Sequence, residues 1–443
     1  MARDVNRSSH LQSNAVLPAE THPGRSPVPA ILLSIAVGAA LALILMLVTG
    51  PDGSEPLVTG SVQIAFGLGW ALMAFLTSRF SGQPQRWMYV PGAALGGVGL
   101  TLVLIQPGPA VMDFLAWLWP IALAALGVWM FVQLRRELRG LGRLPVGALI
   151  VVLLLMAVAG GLTTVGAAST TPGSPAEGQL VDIGGRRLYL QCEGAGSPVV
   201  ILQAGLGNSS TAWARIQPAV AASTTVCSYD RAGRGRSDDA PALQDGNALA
   251  FDLHELLAEA GIPGPYVLVA HSSGGSYVRV YTASYPDDVI GMVLLDPQPA
   301  DAFAALPDYP ATYDSLRLAS GLAPSLARVG LLGPLFGVSP SEATAAIARS
   351  QRDELRALPT VLEQATTVSS IGDRALIIVS AGTGGQRGWA EAQDAQVSLS
   401  TNAVHRVIDR ATHASLLEGD DAPASAQAIH DVIAAVRDGT TLP

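Results

Sequence analysis

Residues 266–277 read YVLVAHSSGGSY. An apolar run ends in Ala270-His271-Ser272-Ser273-Gly274, and a helical pattern follows. Strand, tight turn with a serine, then helix is the arrangement that presents a serine hydroxyl as a nucleophile. The turn strains the serine's backbone, so the residues two before and two after it must be small. Ala270 and Gly274 meet that demand around Ser272. The other frame, with Ser273 at the tip, would put the His271 ring where there is no room. Ser272 is therefore the candidate nucleophile.

A serine hydroxyl is a weak nucleophile at neutral pH. Acyl transfer through it needs a base within hydrogen-bond reach, an acid that orients the base, and donors for the oxyanion. The chain has seven histidines. His10 and His22 are in the N-terminal tail, His254 and His430 fall on helical patterns, and His405 begins a strand. His413 lies in RATHAS, after the last strand-like run and before a C-terminal helix, where a loop can bring a side chain over a sheet. It is the candidate base. Asp296 ends the run GMVLLD and is preferred as the acid; Asp394, on a predicted helix after 375–380, is the alternative. The strand 199–203 runs into Ala204-Gly205-Leu206-Gly207, and the amides of Leu206 and Ser273 are the expected oxyanion donors.

The elements that must position these residues are read from the apolar pattern. Strand-like runs occur at 179–183, 187–192, 199–203, 224–229, 266–270, 291–295, 375–380 and 404–408, with helical patterns at 248–260, 277–285, 390–399 and 424–437. Apolar strands separated by helices predict a mainly parallel sheet covered on both faces. From about 298 to 370 no strand is evident. Helical patterns at 311–319, 324–329 and 340–358, the last with Ser339 as N-cap and Pro340 at its first position, predict a helical lid. The segment YDRAGRGRSD (229–238) lacks the Lys-Ser/Thr ending of a phosphate loop and the glycine spacing of a dinucleotide fingerprint, and reads as a structural turn.

Taken in order, AGLG with Trp213, YDRAGRGRSD, VAHSSGG, VLLDP and ATHAS resemble the α/β-hydrolase superfamily over about residues 178–438. The oxyanion turn departs from the family pattern in having Ala204-Gly205 where His-Gly is common. The resemblance implies an eight-stranded sheet whose second and fourth strands are neighbours. These carry the chain's two cysteines, Cys192 and Cys227, and so imply a disulfide; from the residues alone, two buried free thiols fit as well.

Residues before this domain carry different chemistry. Apolar stretches at 30–48, 57–77, 88–105, 111–134 and 145–166 each approach the ~20 residues that cross a bilayer. The expected organisation is a disordered tail (1–29), a transmembrane bundle (30–166), a Pro-rich linker (167–177) and the hydrolase domain (178–443). Lysine is absent, so arginine alone marks orientation. Arg3, Arg7, Arg25, Arg79, Arg86, Arg135, Arg136, Arg139 and Arg143 flank alternate loops, and the intervening loops have no basic residue. Positive loops stay cytoplasmic, which puts the N-terminus inside and the hydrolase domain outside.

Residues 167–443 hold 17 arginines against 29 acidic residues, a poor nucleic-acid surface. The cysteines and histidines lack metal-ligand spacing, and no cofactor is expected. The expected substrate is a small, apolar acyl ester. A proline-iminopeptidase-like peptidase or an acyltransferase would use the same triad, and a non-catalytic receptor would keep the fold without the chemistry.

Overall fold

A computed structural model describes residues 25–169, 178–240, 243–339 and 343–442. The expected tail as far as residue 24, the linker from residue 170 and the helix start at Pro340 lie outside these residues.

Five helices come first: α1 (Val28–Thr49), α2 (Glu55–Phe80), α3 (Tyr89–Ile105), α4 (Pro109–Glu137) and α5 (Arg143–Ser169). All are long and apolar enough to cross a membrane. The glycine-rich α3 packs on α2 at backbone contact. A Cβ added at Gly67 would fall 2.5 Å from the Gly96 nitrogen, the close approach that small residues permit between apolar helices.

The strands are β1 (Gln179–Asp182), β2 (Arg187–Glu193), β3 (Val199–Gln203), β4 (Val226–Tyr229), β5 (Tyr266–His271), β6 (Val289–Leu295), β7 (Ala375–Ala381) and β8 (Ala403–Ile408). They form one sheet in the order β1-β2-β4-β3-β5-β6-β7-β8. The pairs β1–β2 and β2–β4 are antiparallel and the others parallel. All eight lie on the runs read from sequence. Cys192 and Cys227 are register partners across β2 and β4 and form a disulfide, S–S 2.08 Å.

The central strands are buried on both faces, which is why they read as continuous apolar runs rather than alternating ones. Leu268 and Ala270 of β5 join one core with Leu253 and Leu256 of α7 (Gly246–Glu259) and Val278 and Tyr281 of α8 (Gly274–Ser284). Val267 and Val269 face the other core, with Val220 of α6 (Gln217–Ala221) and Ile429 and Val432 of α14 (Ala422–Asp438).

Between β6 and β7 lie four helices: α9 (Ala302–Ala305), α10 (Tyr309–Arg328), α11 (Leu332–Phe336) and α12 (Ala345–Thr366). α13 (Trp389–Ala395) follows β7. Two lid helices differ from the sequence expectation. α10 runs unbroken through Pro324, and α12 begins at Ala345, capped by the Thr344 hydroxyl, and continues through Pro359. An internal proline costs a helix about 3 kcal/mol. Past Pro359, however, Val361, Leu362 and Ala365 are buried, and each large apolar side chain returns about 1.5–3 kcal/mol. The amphipathic face outweighs the proline.

The helices between β6 and β7 also join the sheet domain to the helical bundle. Arg328 of α10 and Arg349 of α12 share Glu55, at the start of α2, and Asp113, near the start of α4. Glu55 is fully buried in this four-charge cluster. Arg317 pairs with Asp52, and Arg356 donates to the carbonyls of Pro51 and Gly53. The bundle end that receives these arginines is the one whose loops lack basic residues.

Candidate active site

β5 runs into the elbow at Ser272, which sits at φ +56°. Non-glycine residues rarely occupy this left-handed region, and where they do the strain is held by the surroundings. Here the Ser272 amide donates to the Leu295 carbonyl at 3.1 Å, and its carbonyl accepts from Gly275 and Gln298, both at 3.0 Å. The need for small residues is explicit. A Cβ on Gly274 would lie 2.7 Å from the Gln203 carbonyl oxygen, and one on Gly205 would lie 2.9 Å from the Ser272 Cβ.

Asp296, one residue past β6, also has a positive φ, +40°. Its Oδ2 lies 2.5 Å from His413 Nδ1. Its Oδ1 accepts from Trp389 Nε1 at 3.0 Å, the Ala381 amide at 3.3 Å and Gln393 Nε2 at 3.4 Å. Burial alone would raise the Asp296 pKa. The hydrogen bonds from His413 and Trp389 outweigh it and hold the carboxyl below its ordinary value. A carboxylate on Nδ1 assigns the proton there and leaves Nε2 as the basic nitrogen.

His413 is tied to the elbow through its backbone. His271, next to Ser272, donates Nε2–H to the His413 carbonyl at 3.0 Å, and the two rings lie 4.3 Å apart. Its Nδ1 is buried without a hydrogen-bond partner, and the bond to the His413 carbonyl places the ring proton on Nε2. Burial and then the neighbouring His413 push the His271 pKa down to about 4, so it is a neutral strut at pH 7. The sequence alone assigns this histidine no role.

Other residues are placed differently from expectation. Asp394, the alternative acid, lies on the exposed side of α13 with its Oδ1 3.2 Å from His405 Nδ1, and makes no contact with His413. The Leu206 amide does not face open space; it donates to the Ser273 hydroxyl at 2.7 Å. The serine after the elbow tip thus meets the expected oxyanion amide of Leu206 with its hydroxyl.

The turn 229–238 supports the oxyanion segment. Arg231 donates to the carbonyls of Ala204 and Gly205 at 2.7 and 2.8 Å. Both Arg231 and Arg234 pair with Glu354 of α12, at 2.6 and 2.9 Å, and Glu354 accepts the Gly207 amide at 2.8 Å. Burial would raise the Glu354 pKa, but the two guanidinium charges hold it below its ordinary value. Glu354→Ala would leave two buried cations unpaired, an effect of about 3–5 kcal/mol. Denaturant unfolding of the purified chain should show a loss of that size; an unchanged midpoint would mean that the cluster does not hold the turn.

Two cavities, of about 440 and 530 Å³, lie among the lid, the bundle and the loops around residues 230–244, and neither is lined by Ser272. Closer to the elbow, Leu206 and Trp389 pack against an apolar lid cluster of Leu306, Tyr309, Tyr313, Leu355 and Leu358. No group of three or more His, Cys, Asp or Glu suited to a metal ion occurs among the described residues.

This architecture defines a class. The model of the alpha/beta hydrolase fold family matches residues 198–328, and the C-terminal domain is an α/β-hydrolase domain preceded by five apolar helices. An uncharacterized protein of Bacillus subtilis, YqjL, is 31% identical over 118 residues, which are 26% of this chain and 47% of that protein. An AB hydrolase superfamily protein of Gibberella zeae is 30% identical over 103 residues, 22% of this chain and 32% of that protein. The chain thus spans less than half the length of either relative. A thermophilic esterase from Thermogutta terrifontis superposes with a TM-score of 0.46 at 20% identity, covering 59% of this chain and 99% of the esterase.

Proposed function

We propose that the protein is a membrane-anchored serine hydrolase that cleaves small apolar acyl esters. The observation that carries this reading is the 2.5 Å contact of Asp296 with His413 Nδ1, in a histidine whose backbone is held by the residue beside Ser272. In this mechanism His413 Nε2 takes the Ser272 proton as Oγ attacks the ester carbonyl. Asp296 keeps the imidazole in the required tautomer and stabilises the imidazolium. The Ser273 and Leu206 amides take the oxyanion, the carbonyl oxygen replacing the Ser273 hydroxyl on Leu206. His413 returns the proton to the leaving alcohol, and water then releases the acyl group by the same route in reverse.

The apolar lid cluster beside Leu206 supports an apolar acyl or aryl group. The five helices support an anchor, and the arginine-rich loops support a cytoplasmic N-terminus with the hydrolase domain outside. The test is a panel of p-nitrophenyl esters of increasing acyl length on the detergent-purified chain. Turnover above the Ser272→Ala background, with a preference for apolar acyl groups, is expected. Background rates on every ester would overturn the reading and leave a domain without ester chemistry.

A further inference from the structure

The turn that joins α10 to α11 descends along a membrane helix. A Cβ added at Gly330 would lie 2.5 Å from the Ala159 Cβ of α5, and one added at Gly160 would lie 2.6 Å from the Arg328 carbonyl oxygen. Thr163 donates to the Ala327 carbonyl at 3.4 Å. α5 ends at Ser169, so Ala159 lies about 15 Å below that end at 1.5 Å per residue. Arg328 itself is held at the level of the first turn of α2 by Glu55, and the chain continues from there down the side of α5.

The segment Val329 to Val338 reads VGLLGPLFGV and has no ionisable or hydrogen-bonding side chain. Leu335 and Phe336 of α11 are 61% and 54% exposed. A single exposed leucine is ordinary. Here the segment that carries the exposed pair packs at Gly330 on Ala159 of α5, whose neighbours Val158 and Leu162 are 60% and 68% exposed. The backbone is suited to the same surroundings. The amides of Gly330, Leu331, Leu335 and Gly337 all donate within the segment or to the end of α10, as a lipid-facing chain requires.

We infer that the α10–α11 elbow of the lid sits in the outer leaflet, with Leu335 and Phe336 among the acyl chains. The occupant of this apolar face is lipid. The inference rests on the membrane-anchored reading above and adds that the catalytic domain's own lid enters the bilayer. An exposed apolar pair on a short segment against the flank of α5 has the form of an interfacial element, whose apolar face reaches about 5–10 Å below the headgroups.

Both native cysteines are consumed in the disulfide, so a single introduced cysteine labels cleanly. Phe336→Cys, Leu335→Cys, Leu118→Cys on the exposed side of α4 and Ser369→Cys in the loop before β7 would each carry an environment-sensitive fluorophore, with the full chain in phosphatidylcholine–phosphatidylglycerol liposomes. Lipids brominated along their acyl chains quench a fluorophore at that depth. The expected result is a blue shift and a loss of intensity at 335 and 336 comparable to that at 118, with none at 369. Quenching at 118 but not at 335 or 336 would overturn the inference and spare the anchor. No quenching at 118 would overturn both.

Discussion

Asp296→Asn will lower kcat by about 10⁴-fold, the usual cost of holding a triad histidine in the wrong tautomer. The geometry says why an isosteric change should be so damaging. Three N–H groups, from Trp389, Ala381 and Gln393, converge on Asp296 Oδ1. An asparagine must turn its carbonyl oxygen to those donors. Its NH₂ then occupies the Oδ2 position against His413 Nδ1. That nitrogen becomes an acceptor, the ring proton moves to Nε2, and the base is lost. Steady-state kinetics on an ester substrate read this directly, with KM little changed. Asp394→Asn, whose exposed carboxylate faces His405, should keep wild-type turnover. The opposite pattern would move the acid to Asp394.

Ser272→Ala will lower kcat by a factor on the order of 10⁶, as removal of a triad nucleophile does elsewhere. The fold should survive. Alanine meets the same left-handed backbone at φ +56° as serine does, and the bonds that hold the turn are main-chain bonds from Leu295, Gly275 and Gln298. The circular dichroism and unfolding midpoint of the variant should match wild type while ester turnover falls to background. Turnover within tenfold of wild type would exclude Ser272 as the nucleophile.

The two parts of the site differ in how far sequence disclosed them. Ser272 was legible because the elbow constrains its neighbours sterically. Ala270 and Gly274 are local consequences of one backbone turn. His413 was legible as the single histidine in a loop after the last strand. The choice of acid was not decided locally. Asp296 and Asp394 both follow strands, and what separates them is the set of donors from Ala381, Trp389 and Gln393, about a hundred residues along the chain. The same holds for Glu354, which meets Arg231 across 123 residues. An ion pair of that kind leaves no periodicity and no motif. His271 is legible only as a ring to be accommodated, since its role depends on a carbonyl 142 positions away.

The elements obey the same rule. The central strands were legible because doubly covered strands are uninterrupted apolar runs. The lid was legible as helical but not in its breaks, because Pro324 and Pro359 are overridden by burial that the sequence does not display. The departure at Leu206 is of a different kind. A serine side chain next to a backbone amide captures it, and only the three-dimensional turn brings the two within 2.7 Å.

The central claim is that Ser272 is an activated nucleophile in the intact chain. The most direct measurement is labelling of the detergent-solubilised full-length protein with a fluorophosphonate, followed by peptide mapping by mass spectrometry. The account predicts one covalent adduct per chain, on Ser272, absent in Ser272→Ala and strongly slowed in Asp296→Asn. An unlabelled wild-type protein, or an adduct that persists in Ser272→Ala, would contradict it.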